Sequence, residues 1–195
     1  YKRQNYSDAS IRFIVPTGDD VFTSASFKQT LSGIEVYFGS DDGNIYGIDV
    51  YGSLIAVGTE QDSIRFTSGS AQPSPGDWEE IHIHSSTDCA DALSRVISFQ
   101  YCSIGYGGGN GYYGAIFDQH TFSERDHSDC NDQLPSVMIL NSRIYNSADK
   151  FIVSYYSRTQ IENTKFSGYD DTPVIFENSS VDFRNNQISW DGGSE

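Results

Sequence analysis

The feature that most constrains this chain is a spacing. Asn141, Asn163 and Asn185 lie 22 residues apart, and each sits in the same local frame. Val137-Met138-Ile139-Leu140-Asn141-Ser142-Arg143-Ile144, Thr159-Gln160-Ile161-Glu162-Asn163-Thr164-Lys165-Phe166 and Val181-Asp182-Phe183-Arg184-Asn185-Asn186-Gln187-Ile188 share one pattern. It reads apolar, any, apolar, any, Asn, small polar, any, apolar, with Thr159 in the first apolar place. Ile97-Ser98-Phe99-Gln100-Tyr101-Cys102-Ser103-Ile104 follows it too, with Tyr101 in the Asn place and Cys102 in the small-polar place. A fixed period in the twenties marks a solenoid with one coil per repeat.

Apolar residues alternate within each repeat, as on a strand with one buried face. Val, Ile, Phe, Tyr and Thr dominate, and Asn, Gly, Ser and Asp fill the turns. A second strand precedes the repeated one. Ile152-Val153 and Val174-Ile175 are also 22 apart, and Ala115-Ile116-Phe117 reads as an earlier copy. A coil with at least two short strands and several turns has the content of one rung of a parallel β-helix, whose rungs stack at about 4.8 Å. Asn141, Asn163 and Asn185 would then form a structural ladder, their amides bonding to one another and to turn carbonyls. The plainer alternative is that Asn simply favours turns.

The interval from Ile97 to Val137 is 40, so 18 extra residues are expected as an exposed excursion near 118–133. Gly105 to Gly114 is a second irregular stretch. The N-terminal half repeats less evenly, although Ile34–Phe38, Ile45–Val50, Ser53–Val57, Ser63–Phe66 and Ile81–His84 all alternate.

Gly52-Ser53-Leu54-Ile55-Ala56-Val57-Gly58-Thr59, then Ile64-Arg65-Phe66-Thr67-Ser68, Gly76-Asp77-Trp78, Ile81-His82-Ile83 and Tyr101–Gly108 together resemble the recurring core of right-handed parallel β-helix repeat proteins. This is the pectate-lyase-like superfamily, common among secreted and surface proteins of microbes. The resemblance spans about residues 34 to 190. It implies the fold and leaves the activity open, since the superfamily includes lyases, glycosidases, adhesins and structural domains. The expectation is an all-β, single-domain right-handed parallel β-helix over 34–195, about 22 residues per rung and six to seven rungs. Residues 1–33 are expected as an N-terminal cap or first coil, because an open end exposes strand edges and core.

The formal charge is −15, from 27 acidic and 12 basic residues. This argues against nucleic acid and against anionic membranes or polysaccharides bound by direct charge attraction, and permits acidic sugars bridged by calcium. No segment has the length of a membrane span. The chain begins at Tyr1, as expected for a processed protein or a part of a longer one. Asn5-Tyr6-Ser7 and Asn178-Ser179-Ser180 match the glycosylation acceptor pattern. Of three cysteines, Cys89 and Cys130 fall in expected excursions and are candidates for a disulfide, with Cys102 a free thiol. Pairing of Cys102 with either is the rival arrangement, and three reduced thiols are a third.

Candidate ligand residues fall into groups. Tyr101, Tyr106, Tyr112 and Tyr113 surround the glycine-rich stretch, and Tyr155 and Tyr156 lie on a later coil; exposed rings on a rigid sheet can stack on sugar faces. The rival reading packs them beneath a loop. His82 and His84 alternate with Ile81 and Ile83, so both imidazoles would face outward together, fit for a metal or a sugar. Asp41, Asp42 and Asn44 offer oxygens around a glycine turn, which suits calcium, the one cofactor class suggested; turn chemistry also explains them. His120, Glu124, Asp126, His127 and Asp129 crowd the long excursion. Trp78 reads as a core corner.

The catalytic segments that the resemblance would bring are missing: no Asn-Thr-Asp, Gly-His-Gly or Arg-Ile-Lys run, and no Trp-Ile-Asp-His. Arg95, Arg143, Arg158 and Arg184 read most simply as solvated charges. The expected function is a non-catalytic extracellular or cell-surface module, rigid and adhesin-like, whose partners are carbohydrate or another protein surface. The alternatives are a polysaccharide lyase or glycoside hydrolase working beside the 118–133 loop, and a self-stacking filament or surface-layer subunit.

Overall fold

The structure, a computed structural model, describes residues 10–14, 25–30, 33–38, 45–84, 93–109, 114–119, 136–168 and 172–189. Its strands are β1 (Ser10–Ile14), β2 (Ala25–Thr30), β3 (Gly33–Phe38), β4 (Ile48–Val50), β5 (Ser53–Val57), β6 (Ile64–Ser68), β7 (Ile81–His84), β8 (Val96–Gln100) and β9 (Cys102–Gly105). They continue as β10 (Ile116–Gln119), β11 (Ser136–Leu140), β12 (Arg143–Tyr145), β13 (Ile152–Tyr155), β14 (Arg158–Glu162), β15 (Lys165–Ser167), β16 (Val174–Glu177), β17 (Ser180–Arg184) and β18 (Gln187–Ser189).

Three sheets contain them all. Sheet I runs β1-β5-β8-β11-β14-β17, sheet II runs β18-β15-β12-β9-β6-β3-β2, and sheet III runs β16-β13-β10-β7-β4. From β3 onward the chain visits sheets II, III and I in rotation, and strands of successive coils pair in parallel. The fold is therefore all-β and built of stacked parallel coils, consistent with a parallel β-helix. β1 and β2 differ: each pairs antiparallel, β1 with β5 and β2 with β3. They add outer strands to sheets I and II within the segment expected as a cap.

Coil length varies along the stack. The step is 22 from Arg158 to Ser180 and from Lys165 to Gln187. It is 30 from Glu35 to Arg65 and 43 from Leu54 to Ile97. Extra residues enter at the corners, where they lengthen a coil without disturbing the strands. Counting parallel strands alone, sheets I and III have five levels and sheet II has six among the described residues, so sheet II reaches the lower of the expected six to seven and the other two fall one short.

Like residues stack along each inner column. In sheet II, Val36, Phe66, Ile104, Ile144, Phe166 and Ile188 follow one another in register. In sheet III, Ile48, Ile81, Ile116, Ile152 and Val174 do so. Most are fully buried, and each such side chain contributes about 1.5–3 kcal/mol. Trp78 closes one corner as expected: it is fully buried, stacks on Phe38 at 4.2 Å, and donates its indole N–H to the Gly105 carbonyl at 2.8 Å.

One boundary moves. Asp118 is not part of the excursion: it belongs to β10, points inward and is fully buried beside Ser154, whose hydroxyl donates to it at 2.8 Å. The Ser154 hydroxyl also lies 2.5 Å from that of Ser157, which lies 2.8 Å from that of Thr159. One oxygen of Asp118 is met by the Ser154 hydroxyl of the next coil, which Ser157 and Thr159 in turn hold in a hydroxyl chain. The strand runs on to Gln119, so any insertion begins after it.

Candidate functional site

The sheet I to sheet II corner is a tight left-handed bend. Tyr101, Asn141, Asn163 and Asn185 occupy it with φ between 49° and 54°. This left-handed conformation disfavours most side chains but suits Asn, whose short amide bonds locally. The repeated Asn therefore has a backbone cause. The ladder of amides takes a different form from the one expected. Asn163 donates to Asn141 at 3.2 Å, while the continuous ladder belongs to the next residue along. The Cys102 N–H donates to Ser142 Oγ at 3.0 Å, the Ser142 N–H to Thr164 Oγ1 at 3.4 Å, and the Thr164 N–H to Asn186 Oδ1 at 2.8 Å. Each side chain spans two coils, satisfying backbone groups that the bend takes out of the sheet.

Cys102, at the head of that column, is a free buried thiol, so the arrangement pairing it with Cys89 or Cys130 does not occur. Burial pushes its pKa far upward. Cys89 and Cys130 lie outside the described residues.

A groove of about 520 Å³ follows this corner, bordered by Thr59, Glu60, Tyr101, Ser103, Asn141, Asn163, Arg143 and Lys165. Beside it, Arg65, Ser103, Arg143, Lys165 and Gln187 follow in register on the outer face of sheet II. Three cations thus share one column on a chain of net charge −15. The Arg143 guanidinium lies over the Tyr145 ring at 4.4 Å, which fixes its direction. Sequence reading treated Arg143 as a solvated charge; aligning the seventh place of each repeat would have revealed the column.

The described tyrosines of this set lie at three different corners. Tyr101, Tyr106 and Tyr156 all have positive φ, but each follows a different sheet: β8, β9 and β13 respectively. Tyr106 meets Tyr145 edge-on at 5.4 Å, and Tyr155 at the end of β13 meets Phe117 edge-on at 6.0 Å. Of these four, Tyr101 alone lines the groove. Tyr112 and Tyr113 lie outside the described residues.

His82 and His84 do face outward together on β7, with Ile81 and Ile83 buried beneath. Their rings stack at 3.9 Å and 20°. Sequence reading missed the third member, Asp49. The register of β4 on β7 sets Asp49 opposite His82. Its Oδ1 lies 2.6 Å from His84 Nε2 and 4.0 Å from His82 Nδ1. The matching frames Ile48-Asp49-Val50 and Ile81-His82-Ile83 carried that signal. Tyr51 stacks on the other face of His84 at 4.1 Å, and Phe117 packs against His82 at 4.7 Å. Two further carboxyls flank the group. Glu80 Oε1 is 3.7 Å from His82 Nδ1; Glu79 has its pKa raised by burial and, less, by the Asp49 charge. Asp41, Asp42 and Asn44 lie outside the described residues, as do His120, Glu124, Asp126, His127 and Asp129.

Comparison of the chain with protein families, with curated proteins and with solved structures finds no match.

Proposed function

We propose that the chain is a right-handed parallel β-helix of the pectate-lyase-like kind. It serves outside the cell or at its surface as a rigid, non-catalytic module that binds carbohydrate along the sheet I to sheet II corner. The observation that carries this reading is the groove beside Tyr101, Asn141 and Asn163 with its flank of Arg143 and Lys165. An aromatic ring offers an apolar face to a sugar, amides exchange hydrogen bonds with hydroxyls, and cations pair with carboxylate or sulfate groups. Coils about 4.8 Å apart set these groups out in series, which suits a repeating chain. The net charge of −15 argues against acidic glycans at long range, but screening limits that repulsion to about 8 Å at physiological salt, and the basic column acts at contact. Glycoside cleavage uses a pair of carboxyl groups. Among the described residues that line it, Glu60 is the one carboxylate, which favours binding over hydrolysis.

The test is a glycan array probed with the purified chain, with and without chelator. Acidic oligosaccharides should retain it in both conditions, and Arg143→Ala with Lys165→Ala should release it. Blank spots throughout would remove the binding reading, and retention by neutral glycans alone would remove the role of the basic column.

A second reading, assembly by end-to-end stacking, draws on the last described coil. Val181, Phe183 and Ile188 occupy the inner columns above Thr159, Ile161 and Phe166, yet are 38%, 39% and 42% exposed. A further coil, from a second copy or from more of the same polypeptide, would cover them.

A further inference from the structure

We propose that Asp49, His82 and His84 form a binding site for a zinc-class divalent cation on the outer face of sheet III. Their ligand atoms, Asp49 Oδ1, His82 Nδ1 and His84 Nε2, all lie within 4.8 Å of one another. The chemistry selects the ion. Two imidazole nitrogens with one carboxylate oxygen suit zinc and its neighbours, whereas calcium takes six to eight oxygens.

The geometry lies close to what such an ion requires. Zinc holds nitrogen and oxygen ligands at about 2.0–2.2 Å, which in a tetrahedron sets them roughly 3.3 Å apart. Asp49 Oδ1 is nearer than that to His84 Nε2, at 2.6 Å, and farther from His82 Nδ1, at 4.0 Å. Binding an ion here requires the Asp49 side chain to turn so that the first separation lengthens and the second shortens. Asp49 has room to rotate, being about half exposed, at 47%.

The imidazoles, by contrast, are held. His84 is sandwiched between Tyr51 and His82, and His82 lies between His84 and Phe117. Stacked rings present their nitrogens edge-on, with Asp49 Oδ1 in contact with His84 Nε2 at 2.6 Å and 4.0 Å from His82 Nδ1. Rings fixed before the ion arrives lower the ordering cost of binding. Three protein ligands leave a fourth position for water. Because Asp49 sits on β4 and both histidines on β7, the ion joins two successive coils. It is a staple across the stack, separate from the corner groove and independent of the carbohydrate reading.

The test uses the full chain, stripped with chelator and titrated with zinc sulfate by calorimetry, with calcium chloride as comparison. The expected result is one zinc per chain, no calcium at the same site, and a melting temperature raised by roughly 5–10 °C at a hundredfold excess over Kd. Loss of an outer partner at metal sites weakens affinity 10- to 100-fold, so loss of a ligand should do at least as much. Asp49→Asn, at a half-exposed position that does not threaten folding, should weaken zinc binding by about a hundredfold. His82→Ala combined with His84→Ala should abolish it, with circular dichroism to check the fold. The chain has four histidines, and long-range proton–nitrogen spectra should show zinc shifting only two, those lost in the double variant. Undiminished zinc binding by Asp49→Asn or by the folded double variant, zinc-induced shifts at His120 or His127 instead, or equal affinity for calcium would each overturn the proposal.

Discussion

Asn163 donates a side-chain N–H to Oδ1 of Asn141 across 3.2 Å, joining residues 22 apart in sequence and one coil apart in the stack. Both have left-handed backbones, with φ of 52° and 49°. Asn163→Ala should cost about 1–2 kcal/mol for the left-handed Ala and about 1 kcal/mol for the lost bond. Asn163→Gly loses the bond but fits the backbone, so it should cost about 1 kcal/mol in all. Urea denaturation of the two variants separates the contributions. Equal losses would mean that the backbone conformation is not what selects Asn here.

Tyr101 tests the same corner from the other side. It holds φ of 50° where later coils have Asn. A bulky ring there is strained by about 1–2 kcal/mol, so Tyr101→Asn should be neutral or stabilising by up to about 1 kcal/mol while weakening any glycan bound in the groove. A more stable variant that no longer binds would show strain kept for a ligand contact. A clear loss of stability would show instead that the ring's packing outweighs the strain.

The interior polar cluster should behave as a unit. Ser154 donates to Asp118 at 2.8 Å with both residues fully buried. Removing that hydroxyl takes a donor from a carboxylate that water does not reach. Ser154→Ala should cost about 1–3 kcal/mol, against no more than about 0.5 kcal/mol for the exposed Ser70→Ala. Thermal unfolding of the pair checks this. A Ser154→Ala loss as small as that of Ser70→Ala would mean that the cluster adds little.

How much of this was legible in the chain depends on coil length. Where coils keep the 22-residue step, Asn141, Asn163 and Asn185 and the Ser142–Thr164–Asn186 column could be aligned by eye, because stacking forces like residues into like places. Asp49 and His82 are 33 apart. That coil carries an irregular corner with Pro73, Pro75 and Trp78, so no period linked them. Asp118 was assigned to a loop for a related reason. A polar residue at an inner place reads as surface until Ser154, itself bonded to Ser157 and Thr159, is seen to meet it. Tyr101, Tyr106 and Tyr156 stand where the backbone turns left-handed at three different corners, a placement that no spacing in the sequence marks.

Cys102 gives a prediction in pH. Burial holds its thiol protonated in the folded chain far above the ordinary range. The unfolded thiol ionises near pH 8.5, so above that pH the unfolded state sheds a proton that the folded state keeps. Its contribution to stability is complete below about pH 8.5 and falls as pH rises, by about 1.4 kcal/mol per unit. Cys102→Ser should flatten that part of the stability profile relative to the parent. The native thiol should also resist alkylation at pH 8 until denaturant is added. Rapid labelling of Cys102 in the folded chain would contradict its burial.

The exposed inner columns of the last described coil yield the final prediction. Phe183 stacks on Phe166 at 6.1 Å from one side, and Val181 and Ile188 lie more than a third exposed beside it. An apolar end with unpaired strand edges is a template for further coils. If a second copy covers it, the chain should sediment with a weight that rises with concentration. Val181→Asp with Ile188→Asp should hold it monomeric, because each introduced carboxylate would lose its water on stacking. The far-ultraviolet spectrum should be unchanged, since both residues lie on the outermost coil described. A parent chain that stays monomeric to its highest soluble concentration would refute self-stacking. The corner groove lies along the side of the coils rather than at this end, so that result would leave the glycan reading to stand or fall on its own test.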